Sequence, residues 1–357
     1  MKILITGICG FAGSHLAKAL LERMEDARIT GIDNLLRQGS ETNRQALRRL
    51  GVDFVHGDLR MRSDVDALPD CDWVIDAAAN PSVLAGVDGR SSSRQLTEHN
   101  LGGTINILEY CRERKAGLIL LSTSRVYSVR HLSALPVAPR DGAFVLDAGR
   151  PLPDGVSDAG VVETFPVDHP ISLYGATKLC SEIMALEYSG AFGFPVWVNR
   201  CGNLAGAGQF GTAEQGIFSY WIHAHARRAR LRYIGFGGHG YQVRDAFHPA
   251  DLAELIRSQM RRGSQPPDDA VYNVGGGPAN AMSLAQLSRW CDERFGRHEP
   301  EVDNRPRPFD IPWMVMDSKR AAADFGWAPR RSLDSILDEI AAHAAANPQW
   351  QSVCGAL

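Results

Sequence analysis

The chain has 357 residues, of which 44% are hydrophobic and 22% are charged, with a net charge of -3. This balance indicates a folded protein of one large domain or two, and it argues against disorder and against bulk attraction to nucleic acid or anionic lipid. No stretch approaches the roughly 20 apolar residues of a membrane span, so we expect a cytoplasmic protein with no membrane or nucleic-acid partner. The seven cysteines lie far apart without a CxxC pair, which predicts neither a disulfide framework nor a metal site.

The first thirty-odd residues predict a strand, a helix and a second strand. Lys2 to Thr6 is an apolar run, a Gly-rich turn leads into leucines at helical spacing, and a second apolar run ends at Asp33. Strand-like runs recur at 52–55, 73–77, 118–121 and 195–199, with helical patterns at 93–114 and 174–189. This alternation predicts an α/β fold, a Rossmann-type doubly wound parallel sheet with helices on both faces.

The segment from 128 to about 170 breaks this alternation, because it is rich in Pro, Gly, Asp and Ala and lacks periodicity. An ordered segment of that length is usually functional, so we expect an insertion near the active site. After about residue 202 the alternation weakens, and helical patterns follow at 282–296 and 332–345. We therefore expect a Rossmann domain over 1–202 that carries the insertion, and a smaller, partly helical region over 203–357.

Gly7, Gly10 and Gly13 form a GxxGxxG pattern between the first predicted strand and helix. Such glycines permit a tight turn, a close approach of a pyrophosphate and close packing of the helix, whose N-terminus offers N–H donors to phosphate. Asp33 follows 20 positions after Gly13, at the end of the next strand, where a carboxylate can accept hydrogen bonds from ribose. The pattern predicts a dinucleotide site that favours NAD over NADP, a preference that the neighbouring Arg37 weakens.

Tyr174 and Lys178 form a YxxxK pattern on a predicted helix, where the i, i+4 spacing places both side chains on one face. The ammonium can lower the pKa of the phenol, so that a phenolate takes the proton of a substrate alcohol while hydride leaves its carbon. Thr123 ends the preceding strand, where its hydroxyl can bind the same substrate oxygen. These three residues, together with the Gly-rich turn, predict redox catalysis.

With these residues the sequence resembles the extended short-chain dehydrogenase/reductase family, the NAD-dependent sugar-nucleotide epimerases and dehydratases, over nearly its whole length. Further matching segments are DNLLRQGS at 33–40, the Asn100-x-x-Gly103-Thr104-x-Asn106 helix and GWAP at 326–329. Within the family it is most similar to the branch that inverts C2 of CDP-linked deoxysugars, through FVHGDLR at 54–60, GQFGTAEQGIFSYWI at 208–222 and GHGYQVRDAFHPADL at 238–252.

The resemblance implies a bound NAD, a nucleotide-diphosphate sugar as substrate, and a homodimer formed through the helices at 93–114 and 174–189. Arg244 and Arg307 would contact phosphate. Residues expected to complete the cofactor site are Phe11, Ala12, Asn34, Ser40, Asp58, Leu59, Ala77, Ala78, Ala79, Asn100 and Ser122, with Asp58 and Leu59 at the adenine. Residues expected on the substrate, besides Thr123, are Asn80, Ser124, Arg125, Asn203, Gln209, Gln215 and Gln242.

The residues after Thr123 bear on the reaction. Family dehydratases carry Asp-Glu there and decarboxylases keep a Glu in the same stretch, whereas this chain has Ser124 and Arg125, which disfavours both reactions. The 3,5-epimerases place a Cys beside that Ser or Thr, and this stretch has none. We expect oxidation and re-reduction at one carbinol. A 4-epimerase, a net-redox dehydrogenase and a catalytically silent dinucleotide-binding regulator remain open.

The chain also departs from the family pattern at four positions. Asp76 stands where many relatives have His, and Asn80 where the 2-epimerases tend to have Gln. Ser128 replaces a glycine, and Cys201 replaces a His. These departures leave the predicted cofactor site intact and concern the sugar and the base of the substrate.

Overall fold

The computed structural model describes residues 1–89, 91–263 and 269–355. Within these ranges the strands are β1 (Lys2–Thr6), β2 (Arg28–Asp33), β3 (Asp53–His56), β4 (Trp73–Asp76), β5 (Gly117–Thr123), β6 (Val137–Arg140), β7 (Ala143–Leu146), β8 (Val156–Ser157), β9 (Gly160–Val161), β10 (Val196–Cys201), β11 (Asn203–Leu204), β12 (Arg232–Ile234), β13 (Val243–Phe247), β14 (Val271–Val274), β15 (Ala281–Ser283), β16 (Glu301–Asp303) and β17 (Trp313–Met314). The α-helices of the same ranges are α1 (Phe11–Leu21), α2 (Asn43–Arg49), α3 (Arg62–Asp66), α4 (Ser93–Thr97), α5 (Gly103–Arg114), α6 (Val129–Ser133), α7 (Ser172–Phe192), α8 (Ile217–Ala226), α9 (Pro249–Arg262), α10 (Leu284–Phe295), α11 (Lys319–Phe325), α12 (Leu333–Ala346) and α13 (Trp350–Val353).

The central sheet of the described chain has seven strands in the order β14-β10-β5-β4-β1-β2-β3, and every pairing in it is parallel. The chain runs outward from β1 to β3 and then crosses to β4 on the other side. The strand order therefore reverses between β1 and β4, where Thr6 pairs with Asp76. Open parallel sheets bind ligands in the crevice at the carboxyl ends of such strands. The predicted Rossmann-type fold is confirmed.

Two apolar clusters cover the two faces of this sheet, because alternate residues of β1 point in opposite directions. Ile3 and Ile5 pack with leucines of α1 and α9 on one face. Leu4 packs on the other face with apolar residues of α5 and α7. The helix α7, which carries two predicted catalytic residues, is thus fixed against the sheet by burial of apolar surface.

The segment predicted as an insertion has secondary structure of its own. It contains α6 and two short hairpins, β6–β7 and β8–β9, and its apolar side chains pack with Val243 and with residues 311–316 in a cluster of their own. None of its described residues at 128–170 lines the main cavity of the molecule. The insertion therefore packs against β13 and β17, and its expected place near the active site stays a prediction.

The second region contains a smaller sheet, β11-β13-β15 with β17 paired to β13, covered by α8, α10 and α12. The boundary at residue 202 stays an expectation. Strand β14 and helix α9 come from beyond it, yet β14 completes the central sheet and α9 packs on α1. Among the described helices, none has the length and apolar character needed to cross a bilayer.

Candidate functional site

One cavity of about 940 Å³ opens at the carboxyl ends of the central strands and reaches into the second region. Single-ligand pockets span roughly 300–1,000 Å³, so this volume is at the upper end of that range. The cavity is lined by every residue predicted to be catalytic and by every residue predicted to bind substrate. It is also lined by all the predicted cofactor residues except Ser40 and Asn100.

The Gly-rich turn has the geometry that its spacing predicts. Gly7 has a φ of 62°, and a Cβ on it would lie 2.9 Å from the Cα of Ala78. A Cβ on Gly13 would lie 2.3 Å from the carbonyl oxygen of Gly7, so helix α1 packs tightly on the turn. Gly10 is the N-cap of α1 and has no side chain to accept from the first-turn N–H groups. Because no side chain at Gly10 occupies them, those N–H groups are available to bind a phosphate.

Asp33 is fixed at the end of β2 by two backbone donors. Its Oδ2 accepts from Cys9 N–H at 2.9 Å and its Oδ1 from Leu35 N–H at 2.8 Å. Burial raises the pKa of Asp33, while these backbone bonds act in the opposite direction. Arg37 donates to the carbonyl oxygen of Phe210 and is thereby engaged by the second region. This arrangement places the carboxylate of Asp33 where it can accept hydrogen bonds from a ribose. The guanidinium of Arg37 is already bound to Phe210, so it is less available to pair with a 2′-phosphate.

Three predicted cofactor residues either have other partners or lie outside the cavity. Asp58 binds Arg60 through Nη2 at 2.6 Å, and this contact holds the pKa of the carboxyl well below its usual range; its adenine contact stays a prediction. Ser40 is fully buried away from the cavity. Asn100 is also outside the cavity, within a π-helical turn at Glu98–Gly102 that interrupts the helix predicted for 93–114. Its side chain binds the backbone of Asn80 and the hydroxyl of Thr177, so it positions residues instead of lining the site.

Thr123, Tyr174 and Lys178 meet in the cavity as the sequence predicts. All three side chains are buried, with Tyr174 and Lys178 one helical turn apart on α7. Burial raises the pKa of Tyr174 to about 12, although a hydrogen bond from Thr123 and the charge of Arg125 both lower it. Burial also lowers the pKa of Lys178, against the carboxylates of Asp76 and Glu182. Arg125 is thus a further cation that acts on the phenol, and the expected effect of Lys178 stays a prediction.

A buried ion pair behind these residues ties α7 to the sheet. Glu182 lies one turn after Lys178 and binds Arg200 of β10, with Nη2 to Oε2 at 2.7 Å and Nε to Oε2 at 3.0 Å. The same carboxylate accepts from Ser122 of β5, and Arg200 also donates to the hydroxyl of Tyr127 at 3.3 Å. Sequence reasoning missed this pair, although the i, i+4 spacing of Lys178 and Glu182 placed both on one face of the helix.

Cys201 and Asp76, two departures from the family pattern, both lie close to the catalytic residues. The register of β5 and β10 pairs Cys201 with Thr123, so a cysteine is the spatial neighbour of this threonine even though none is its neighbour in sequence. Burial raises the pKa of Cys201 to about 12, which keeps the thiol protonated and unsuited to act as a base. Asp76 accepts from Thr6 Oγ1 at 2.6 Å and Thr104 Oγ1 at 2.9 Å, and so joins β1, β4 and α5.

The other end of the cavity carries guanidinium and amide groups. Arg244 Nη2 donates to Asp310 Oδ1 at 3.3 Å, and Gln242 Nε2 donates to Asp310 Oδ2 at 3.1 Å. The side-chain oxygens (Oε1) of Gln209, Gln215 and Gln242 are buried without a hydrogen-bond partner in the described part of the chain. An unpaired buried acceptor is costly, so these oxygens suit the hydroxyl or amino donors of a ligand.

His15, His248 and Glu339 place three potential metal-ligand atoms within 4.8 Å of one another. The ring of His248 caps α9, because its Nδ1 accepts from Ala250 N–H at 3.1 Å. A neutral ring that accepts at Nδ1 carries its proton on Nε2, and that nitrogen lies 3.4 Å from Glu339 Oε1. The expectation of no metal site stays a prediction.

Comparison with known proteins gives the following similarities. Residues 3–275 match the model of the NAD dependent epimerase/dehydratase family. CDP-paratose 2-epimerase from Salmonella typhi is 28% identical over 93% of this chain and 96% of its own length. UDP-glucose 4-epimerase from Erwinia amylovora is 27% identical over 99% of this chain and all of its own length. In structure, UDP-glucuronic acid 4-epimerase from Bacillus cereus superimposes with a TM-score of 0.78 over 97% of this chain and 99% of its own, at 23% identity.

The family match extends from the Gly-rich turn, through the cluster of Thr123, Tyr174 and Lys178, to the last strand of the central sheet. The Gly-rich turn and the fixed carboxylate of Asp33 fit NAD, the cofactor named in the family's description. The chain belongs to the NAD-dependent epimerase/dehydratase family, and its cofactor is NAD.

Proposed function

We propose that the protein is an NAD-dependent nucleotide-sugar epimerase that inverts C2 of a CDP-linked deoxysugar through a transient ketone. The observation that carries this proposal is that the predicted cofactor residues and the predicted substrate residues line one cavity. Thr123, Tyr174 and Lys178 lie between the Gly-rich turn and the arginine end formed by Arg244 and Arg307. The choice of C2 and of CDP rests on the similarity to CDP-paratose 2-epimerase along nearly the whole chain.

Three side chains, those of Tyr174, Thr123 and Lys178, account for removal of the hydroxyl proton of the substrate. Tyr174 is placed to remove the hydroxyl proton of the carbinol, Thr123 to hold the same oxygen, and Lys178 to keep a positive charge beside them. When bound, NAD would supply the hydride acceptor for the oxidation and the hydride donor for the re-reduction. Neither Ser124, Arg125 nor the protonated thiol of Cys201 offers a base for removing a carbon-bound proton. This supports epimerisation by oxidation and reduction at a single carbon.

The experiment that tests this function follows the hydrogen of the substrate. With CDP-paratose in D₂O, we expect the C2 epimer to form without deuterium in the sugar and without a net rise in NADH. Deuterium at carbon would indicate proton abstraction from carbon, whereas stoichiometric NADH would indicate the dehydrogenase alternative. No turnover of any nucleotide sugar, together with tight NAD binding, would favour the silent regulator.

A 4-epimerase is the second candidate, and the similarity to UDP-glucose 4-epimerase along the full chain favours it. Formation of UDP-galactose from UDP-glucose, with no turnover of CDP-paratose, would establish it. The two reactions use the same catalytic residues and differ in the carbon that is presented to Tyr174.

We also propose a homodimer through α7 and its neighbour α5. Leu173 and Ile183 of α7 are 40% and 53% exposed and lie on one side of the helix, which supports burial of this face against a second copy. Analytical ultracentrifugation of the purified protein tests this assembly, and a monomer at all concentrations would refute it.

A further inference from the structure

Arg125 is the residue that links the two ends of the cavity. Its backbone is fixed beside Tyr174, because its N–H donates to Thr123 Oγ1 at 3.2 Å and its carbonyl oxygen lies against Gly175, the next residue of α7. A Cβ on Gly175 would come within 2.3 Å of that oxygen, so the absence of a side chain there permits the contact. The position of Arg125 relative to the catalytic phenol is therefore set by the backbone on both sides.

The guanidinium of Arg125 extends to the opposite end of the cavity. Its Nη1 donates to the carbonyl oxygen of Phe309 at 3.2 Å, and the next residue, Asp310, is the partner of Arg244. Arg307 also lines this end. One side chain thus begins at the phenol and ends among the groups expected to hold phosphate.

The charges at this end are unbalanced. The charges of Arg125, Arg244 and Arg307 act on one another, and the carboxylates that act on them are Asp310 and Asp245, so positive charge is in excess here. Burial and the charge of Arg244 lower the pKa of Arg125 to about 9, against the carboxylate of Asp310, as expected of a desolvated cation. The negative charge of a diphosphate would offset this excess, and guanidinium binds phosphate oxygens through paired donors.

We propose that Arg125 is a specificity-determining residue, which binds the sugar-linked phosphate next to Tyr174 and thereby presents C2 of the sugar to the catalytic residues. The carbon that bears the phosphate and C2 are neighbouring ring atoms, whereas C4 lies across the ring from that phosphate. A guanidinium that reaches both the phosphate and the surroundings of the phenol is therefore compatible with C2 at Tyr174, and it leaves C4 remote. This inference rests on the proposed function and explains its choice of carbon.

The binding test uses the purified protein with NAD bound and the variant Arg125→Met. We expect the affinity for CDP to fall about tenfold, as loss of one charge-assisted hydrogen bond would give, while the affinity for CMP, which lacks the second phosphate, stays unchanged. Arg62→Met, which removes an exposed guanidinium paired with Asp66, is the matched control. Because no carboxylate of the described chain forms an ion pair with Arg125, its removal should not lower the melting temperature, and circular dichroism and melting of the variant check that it folds.

The second readout is the origin of the transferred hydride. CDP-paratose deuterated at C2 or at C4 is mixed with the enzyme, the reaction is quenched by denaturation within the first turnover, and the deuterium in the transient NADH is measured by mass spectrometry. We expect wild type to take deuterium from C2, as hydride, while the hydroxyl proton passes to Tyr174, and Arg125→Met to lose this selectivity. Transfer from C4 by wild type would overturn the proposed function. Transfer from C2 with unchanged CDP affinity and selectivity in Arg125→Met would overturn only the role of Arg125.

Discussion

The surroundings of Tyr174 oppose the loss of its phenolic proton. Its hydroxyl is buried, its pKa is raised to about 12, and its hydrogen-bond partner is Thr123. A phenol in this state releases its proton only when positive charge and the substrate oxygen are close, which restricts proton transfer to the loaded site. Lys178 and Arg125 are the cations that this chain contributes there.

The substitution Tyr174→Phe tests this assignment. We expect turnover to fall by at least about a hundredfold, the usual contribution of a positioned general acid or base, because the proton acceptor is lost while the ring and its packing remain. NAD binding should be unchanged, since the Gly-rich turn and Asp33 are untouched. Steady-state rates and NAD titration measure the two properties; near-normal turnover would refute the assigned base.

Local spacing explains which residues could be predicted. Gly7, Gly13 and Asp33 lie within one strand–helix–strand unit, and Tyr174 and Lys178 lie within one helical turn, so short-range geometry fixes their relations. The pairing of Cys201 with Thr123 depends on the register of strands 78 residues apart in number, and the contact of Arg125 with Phe309 spans a separation of 184 residues. Contacts between residues so far apart leave no recognisable pattern in any short stretch of the sequence.

At the scale of elements, α7 is fixed by two different means. Apolar residues pack it on the sheet, while the Glu182–Arg200 pair fixes it along and about its axis relative to β5 and β10. Tyr174 and Lys178 are on the same face as Glu182, so their placement depends on this pair. The insertion acts at the same scale, because its hairpins pack behind β13 and β17, the first of which carries Arg244.

The substitution Glu182→Gln tests the ion pair. It leaves the guanidinium of Arg200 buried without its carboxylate, and breaking a buried pair in this way costs about 3–5 kcal/mol. Urea denaturation of the variant and wild type measures the loss. Glu187→Gln, at an exposed position of the same helix, should change the free energy of unfolding little; equal losses in the two variants would contradict the role of the pair.

The insertion shows what sequence reasoning missed. Proline and glycine obscure the alternation of its short strands, so neither hairpin could be recognised. Its packing depends on apolar contacts with residues 311–316, far along the chain. Composition therefore indicated an insertion without its hairpins or its packing, and its place near the active site stays a prediction.

At the scale of the whole molecule, the last described residues pack against the loop after Asp33 at the cofactor end of the cavity. Trp350 stacks on Phe210 with ring centroids 5.4 Å apart and donates from Nε1 to Gln209 O at 2.9 Å. Gln38, in the loop after Asp33, donates to Ser352 O at 3.3 Å, and Cys354 lines the cavity. Residues 36–40 are thus held between the sheet and the C-terminal segment.

We expect Trp350→Ala to release NAD more readily than wild type, because the stacked ring holds the segment that covers this loop. The nucleotide that remains bound after gel filtration, released by heat and measured by absorbance, gives the retention. Phe192→Ala, which removes an exposed ring of α7, serves as the control. Retention equal to that of the control would show that the segment does not hold the cofactor.

The stability of the whole molecule should depend on pH through buried histidines. Burial lowers the pKa of His15 and of His223 from 6.5 to about 4. The unfolded chain therefore takes up protons first, so this stability is complete above about pH 6.5 and is lost as the pH falls toward about 4. Asp245 opposes the trend, because burial raises its pKa to about 6 and its protonation favours the folded state in acid.

Melting temperatures across this pH range test the expectation. The variant His15→Gln should show a shallower fall than wild type, by an amount that corresponds to about 1.4 kcal/mol per unit of pKa shift removed. His239→Gln changes an exposed ring and should leave the slope as it is. A slope unaffected by His15→Gln would mean that other groups govern the acid side.

The packing at the cofactor end has a consequence for the fate of a single enzyme molecule in the proposed reaction. If a ketone escaped before re-reduction, the reduced coenzyme would remain beside the segment around Trp350 and would exchange slowly with NAD from solution. That molecule would stay idle until a suitable ketone entered from the sugar side. Occasional leakage would thus appear as gradual loss of activity during turnover, and adding the oxidised sugar nucleotide would restore it.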